Sequence, residues 1–496
     1  MVRMTNLYIG ADLGTSSLKL MLLSADGEII KSCSETYPLY MPHEGWSEQN
    51  PADWYEAFTQ GLRKLLEGQA KERVRGIAVA GQMHGLVALD AKDQVIRPAI
   101  LWNDGRAGKQ STELNQQLGE EALTEYTGNI SFAGFTAPKL LWMKENEPSL
   151  FARFDKVMLP KDYLVYCLTG AFASDYSDAS GMLLLDVQAR AWSLPMLEVC
   201  GLSLKQMPSL HESYEQVGQL RPQVAEELGL SPSVFVVAGA GDNAAAAIGS
   251  GTVGQGKCNV SLGTSGTVLV GSETYHKTLN HAIHNFAHAD GSYHYLGCML
   301  SAAQAYNWWV EEILQSQFAD VAEGMHEKLG QNKVFFLPYL MGERSPHNNP
   351  LARAAFIGMS GSCTRTEMSL AVLEGVTFGL KDSLQAIRDL GICVEKTALV
   401  GGGAKNPIWQ VLIANILQVE VELLGQEVGP SLGACILAAY AGGEFPSLEA
   451  ACAQVVQKRG VIKPDQALME RYADRYAVYR ELYPSLKNAY NQMALL

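Results

Sequence analysis

The tetrapeptide Leu-Gly-Thr-Ser occurs twice in this chain, at Leu13-Gly14-Thr15-Ser16 and at Leu262-Gly263-Thr264-Ser265. Each copy lies between two β-type runs: Leu7–Ala11 and Leu18–Leu22 around the first, Asn259–Ser261 and Thr267–Val270 around the second. Glycine lets a backbone approach a ligand closely, and turn amides with Thr and Ser hydroxyls can bind anionic oxygens. One copy reads as an ordinary hairpin turn. Two copies at corresponding points of two halves predict a duplicated domain that clamps one polyphosphate.

The length, 496 residues, exceeds what one hydrophobic core usually organises, so two large domains are expected. Around the first turn the pattern reads β-β-β, with a third strand over 28–35, then a helix over 51–67, a buried strand over 74–80 and a helix over 111–124. A second buried strand over 234–238 runs into Gly239-Ala240-Gly241, and Asp242 opens an Ala-rich helix to Ile248. The glycine-rich stretch 249–256 follows and the hairpin pattern restarts, which sets the expected domains at 1–248 and 249–496. Helices over 301–315 and 366–390, a strand over 397–400 and a helix from Pro407 complete an α/β alternation in both halves.

A net charge of −14 argues against nucleic acid, whose backbone is bound by clustered Lys and Arg. Nine scattered cysteines without a Cys-x-x-Cys pair read as reduced thiols. The sequence holds no apolar run of the ~18 residues that a membrane span needs. The expectation is a cytoplasmic protein with neither nucleic-acid nor membrane partners.

Two near-motifs fail on context. Gly251-x4-Gly256-Lys257-Cys258 lacks the Ser or Thr of a P-loop and precedes a strand rather than a helix. Gly239-x-Gly241-x-x-Ala244 imitates a dinucleotide fingerprint but has no acidic residue ~20 positions on; a nicotinamide-dependent oxidoreductase is thus a minor alternative. His281, His284, His288 and His294 cluster without completing a metal set and read as ordinary polar or core residues.

Three features carry chemistry. Asp242, between strand and helix, is either a helix N-cap or a general base that deprotonates a hydroxyl for attack on phosphorus, and the roles can coexist. Asp12, directly before the first turn, is either a turn residue or an anchor for Mg²⁺ through water. Gly401-Gly402-Gly403-Ala404 is either a tight turn or a surface on which adenine lies flat.

Two longer runs name a family. Gly134-x-Thr136-x-x-Lys139-Leu140-x-Trp142-Met143-x-Glu145-Asn146 and the run Ala354-x-Phe356-x-Gly358-Met359, Glu367-Met368, Ala371-Val372-Leu373-Glu374 resemble the signatures of the FGGY carbohydrate kinases. That family lies within the actin-like ATPase superfamily, and the resemblance spans essentially the whole chain. Gly81-Gln82-Met83-His84-Gly85, the run from Ala99 to Arg106, Leu159–Leu164 and Gly342–Pro350 look like the branch that phosphorylates D-xylulose. Glycerol kinases typically carry Arg-Glu in place of Met83-His84. Ala11 and Ser345 depart from residues common in the family without threatening the assignment.

The resemblance implies two duplicated actin-like (ribonuclease H-like) α/β domains with a cleft between them, ATP and Mg²⁺ as cofactors, and a small sugar as partner. Asp242 then matches the base, Asn243, Met83 and His84 the sugar contacts, and Trp102 a pocket wall. Asp12 matches the acidic residue near Mg-ATP. Gly14, Thr15, Ser16, Gly263, Thr264 and Ser265 match the phosphate turns, and Gly402, Gly403, Ala404 and Asn406 the adenine side. The implied reaction is transfer of the ATP γ-phosphoryl group to the 5-hydroxyl of D-xylulose. The alternatives are another pentulose or polyol, such as ribulose, or a non-catalytic nucleotide-binding protein. A homodimer is a further expectation from the family.

Overall fold

In the computed structural model, which describes residues 5–278, 283–426 and 428–495, two seven-stranded mixed sheets repeat one plan. In the first, Leu7–Leu13 is central. It pairs antiparallel with Ser17–Ser24, which carries Ile29–Thr36 beyond it, and parallel with Val74–Gly81, which carries Phe235–Val237 and the short Ala240–Gly241. In the second, Cys258–Leu262 pairs antiparallel with Gly266–Ser272 and parallel with Lys396–Val400, followed by Glu420–Leu424. The central strand Leu7–Leu13 is buried almost throughout, as a strand covered on both faces must be, whereas Ile29–Thr36 alternates half-buried and exposed residues as an edge does.

The two hairpins differ in register. Leu13 pairs with Leu18, leaving four residues in the first turn, while Leu262 pairs with Gly266, leaving three in the second. Both turns open with the same three residues, but Gly266 pairs directly with Leu262 across the second, whereas Ser17 pairs only with Thr36 on the outer strand.

Every strand of the first sheet precedes residue 249 and every strand of the second follows it. The halves are nonetheless stitched together by two helices, Asp242–Gly249 and Pro430–Ala441, whose buried faces share one core with Tyr8, Met21 and Ala80. They cross at backbone contact: a Cβ on Gly433 would lie 1.8 Å from the Ala245 carbonyl oxygen, and one on Gly249 would lie 2.4 Å from that of Gly429. Only hydrogen fits there.

Two expected helices are interrupted. The segment 111–124 splits into Gly108–Gln117 and Glu120–Thr127, because Gly119 adopts φ +80° between them. The segment 301–315 is a short α-helix, Ala303–Asn307, followed by a π-helical stretch, Trp308–Ile313, in which Trp309 is buried and donates to the Ser369 hydroxyl at 2.8 Å.

Candidate functional site

A cavity of about 190 Å³ opens where the halves meet. Met83, His84, Trp102, Asp242 and Asn243 line it from the first half, and Ser265, Thr267, His284 and Arg344 from the second. Met83, His84 and Trp102 arrive from loops after strand ends, and Asp242 and Asn243 open the helix that follows the strand Ala240–Gly241, so all five stand at the carboxyl ends of strands, where open α/β sheets collect ligands.

His84 follows the strand Val74–Gly81 and sits at φ +69°. Its Nδ1 lies 2.7 Å from the Gly181 carbonyl oxygen, which can only accept, so Nδ1 carries the proton and Nε2 is an acceptor. The ring stacks on Phe135 at 4.6 Å. Burial first, and the positive charges of Lys139 and Arg344 next, push its pKa down to about 3 against the opposing Gly181 bond, so the ring is neutral. The unusual backbone is fixed from behind: Thr136 Oγ1 and Lys139 Nζ donate to the His84 carbonyl at 3.0 and 2.8 Å, and Lys139 also reaches the Gly134 carbonyl at 2.6 Å. Lys139 is fully buried, and burial lowers its pKa to about 7.

Asp242 is the first residue of its helix and Gly241 occupies the N-cap, so capping is not the role of this side chain. Its Oδ1 accepts from the Asn243 amide at 2.7 Å and from Asn243 Nδ2 at 3.0 Å. Burial outweighs those bonds and raises its pKa to about 6. The turn that presents it rests on a buried polar platform. The Gly241 amide donates to Ser177 Oγ at 3.1 Å, Ser177 Oγ donates to Asp175 at 2.5 Å, and Lys161 Nζ bonds the Ala238 carbonyl at 3.2 Å. Lys161 also pairs with Asp162 and Asp175 at 2.6 and 2.8 Å. Its burial works against the ammonium, but the surrounding carboxylates prevail and raise its pKa.

The two Gly-Thr-Ser turns share one device built from different parts. In the first, Tyr37 Oη donates to the Gly14 carbonyl and Gln49 Nε2 to that of Thr15 at 2.7 Å. In the second, the amides of Ala303 and Ala302 donate to the carbonyls of Gly263 and Thr264, each at 2.9 Å. A trans peptide points its N–H opposite to its C=O. Tying back these carbonyls therefore turns the amides of Thr15, Ser16, Thr264 and Ser265 the other way, as anion binding requires. The first turn lines neither cavity but meets the small one through Trp102, whose Nε1 donates to Thr15 Oγ1 at 2.9 Å. Asp12, beside it, has its pKa raised to about 7, by burial and then by the negative charge of Asp242, with Lys19 opposing. Asp12 thus offers buried carboxylate oxygens beside a second negative group, a place where a divalent cation would be favoured.

A second cavity, about 680 Å³, is lined by Gly263, Thr264, Tyr306, Gly402, Gly403, Asn406 and Trp409 among others. Gly402 has open space where a side chain would project. Ala404 and Asn406 stand differently around this cavity. Ala404 lies on the far side of the 3₁₀ turn Gly402–Lys405 and faces a separate hollow of about 340 Å³ with Leu423 and Val428. Asn406 lines the large cavity, but its Oδ1 caps the helix Pro407–Leu417, accepting from the amides of Ile408 and Trp409 at 3.0 and 3.2 Å.

The residue-by-residue reading passed over Arg344 and His284 as pocket walls, and over Lys161, Ser177 and Lys139 as supports. Arg344 stands inside the Gly342–Pro350 run, and Lys139 inside the first signature. Ser177 carried no local signal, since its partner is at Gly241. Of the other histidines, His288 and His294 are buried, and His281 lies outside the described residues.

Two repeated mixed sheets with a cavity where they meet are the architecture of a two-domain protein of the actin-like type. The models of the FGGY family of carbohydrate kinases, N-terminal and C-terminal domains, match residues 7–249 and 258–442. The xylulose kinase of Escherichia coli (strain K12) is 41% identical over 483 residues, 97% of this chain and 99% of that protein. The solved "xyloylose kinase" of Brucella ovis superposes with a TM-score of 0.93 at 40% identity, covering 98% of this chain and 100% of that one. The xylulose kinase of Rhodospirillum rubrum does so with a TM-score of 0.92 at 27% identity, over 98% and 100%. The chain belongs to the FGGY family of carbohydrate kinases. It is a carbohydrate kinase, and its family implies ATP as co-substrate.

Proposed function

We propose that this kinase transfers the γ-phosphoryl group of ATP to the 5-hydroxyl of D-xylulose. The observation that carries the reading is one small cavity in which a half-buried carboxylate, Asp242, shares the walls with a neutral His84. The identity to xylulose kinases of known sequence selects the sugar.

Residues 1–248 supply the base and most of the sugar pocket, and residues 249–496 the nucleotide cleft. Asp242 takes the proton of the sugar hydroxyl as its oxygen attacks phosphorus in line, and the two bonds from Asn243 hold the carboxylate for that transfer. Met83, Asn243 and the Nε2 acceptor of His84 orient the sugar, and Trp102 closes one wall. The amides of the two turns receive phosphate oxygens. Gly402 leaves room for the adenine, Gly403 lets the turn pack closely on Leu262 and Trp409, and Asn406 supports both from its helix cap. Asp12 is the residue that would hold Mg²⁺ through water, and bound there the ion supplies neutralising charge to the phosphates. Shielding of the pocket keeps water from replacing the sugar as acceptor.

No described helix is long and apolar enough to cross a membrane, and we place the enzyme in the cytoplasm, as a homodimer. The substrate test is ADP release across D-xylulose, D-ribulose, xylitol and glycerol. D-xylulose should give the highest kcat/KM; a higher value for any other member contradicts the substrate reading.

A further inference from the structure

Arg344 is the unexplained group in the sugar pocket. Its guanidinium carries five N–H donors, and among the described residues it has neither a hydrogen-bond acceptor nor an ion-pair partner, only the Phe132 ring at 5.8 Å. Its backbone, by contrast, is firmly held. The Arg344 amide donates to Glu343 Oε1 at 2.8 Å, the Ser345 amide donates to the Cys298 carbonyl at 3.0 Å, and Glu343 and Asn349 exchange backbone bonds at 2.9 and 2.8 Å. A rigid loop thus delivers an unsatisfied cation to a pocket wall.

The position within the pocket can be read from its neighbours. The Phe132 ring under Arg344 lies 4.9 Å from His284 and 5.4 Å from Phe135, the ring on which His84 stacks. Asp242 is bonded instead to Asn243, whose Nδ2 lies 3.8 Å from Met83 Sδ, on the other side of His84. Arg344 therefore faces the histidine end of the cavity, with Asp242 at the other.

The chemistry of the substrate supplies the rest. A ketopentose closes its ring by adding O5 to C2, so the 5-hydroxyl is a free nucleophile only in the open-chain ketone. With O5 at Asp242, the C2 carbonyl of the extended chain falls toward the opposite end. Resting on the D-xylulose reading, we propose that Arg344 donates to the C2 carbonyl oxygen and selects the open-chain ketose over polyols. A carbonyl oxygen offers two in-plane lone pairs to the planar guanidinium fork, whereas a carbinol oxygen has no such planar face.

The test compares wild type, Arg344→Met and Arg344→Lys, using D-xylulose as substrate and xylitol as a competitive inhibitor. For Arg344→Met we expect kcat/KM for D-xylulose to fall by roughly 10- to 100-fold, the range of a charge-assisted hydrogen bond. The inhibition constant of xylitol should move less than threefold, the KM for ATP should hold, and Arg344→Lys should recover part of the loss. Equal losses for ketose and polyol, or no loss, overturn the inference while leaving the substrate reading intact. A wild-type enzyme that does not phosphorylate D-xylulose overturns both.

Discussion

Asp242 has to be ionised to accept a proton, and burial holds its pKa near 6 rather than the ordinary 3.8. A raised carboxylate pKa means that the base is lost as the pH falls through that value. The kcat/KM for sugar should then decline about tenfold per unit below pH 6, as a singly protonated base dictates. A pH–rate profile flat down to pH 4.5 contradicts the assignment. Ser177 is the second residue whose effect can be anticipated. Its hydroxyl accepts from the Gly241 amide and donates to Asp175. Ser177→Ala leaves a buried amide unsatisfied, which costs about 1–3 kcal/mol. Chemical denaturation should show that loss, and kcat should drop several-fold with the KM for ATP unchanged, because the displaced turn carries Asp242.

Among the elements, the crossing of Asp242–Gly249 with Pro430–Ala441 joins the helix that presents Asp242 to the opposite half. A methyl group at Gly433 would sit 1.8 Å from a backbone oxygen, so the helices must separate. Gly433→Ala should destabilise the fold by about 1–3 kcal/mol, the usual cost of overpacking, and lower kcat as well. Unchanged thermal unfolding for this variant would show that the crossing is looser than described. The same elements show what local pattern can and cannot reveal. Hairpins, buried strands and the Asp242 helix were legible because alternation and glycine turns are local. The break at Gly119 was not, since the apolar spacing runs through it and only its φ of +80° ends the helix. The π-helical stretch depends on Trp309 reaching Ser369, sixty residues on.

For the whole molecule, the duplicated turns read from sequence correspond to two equivalent points in two equivalent sheets. Their supports are not duplicated: side chains of Tyr37 and Gln49 tie back the first turn, and the amides of Ala302 and Ala303 the second. Residues that line the small cavity were legible because they sit in contiguous strings such as Gly81–Gly85. Arg344 and the Lys161 platform were not assigned, because their meaning lies in contacts between distant segments. The chemical asymmetry is visible in the sequence itself, where Asp12 precedes one turn and Ser261 the other; the structure adds that Asp242 lines the small cavity between the halves.

The central claim is that Asp242 is the base for sugar phosphorylation and no part of nucleotide binding. Steady-state ADP release with saturating D-xylulose, paired with calorimetric ATP titration, tests it on Asp242→Asn. The account expects kcat to fall by roughly 10²–10⁴-fold, the usual contribution of a positioned base, with the ATP dissociation constant within threefold of wild type. A variant that retains near-normal sugar phosphorylation, or that loses ATP affinity in step with turnover, contradicts it.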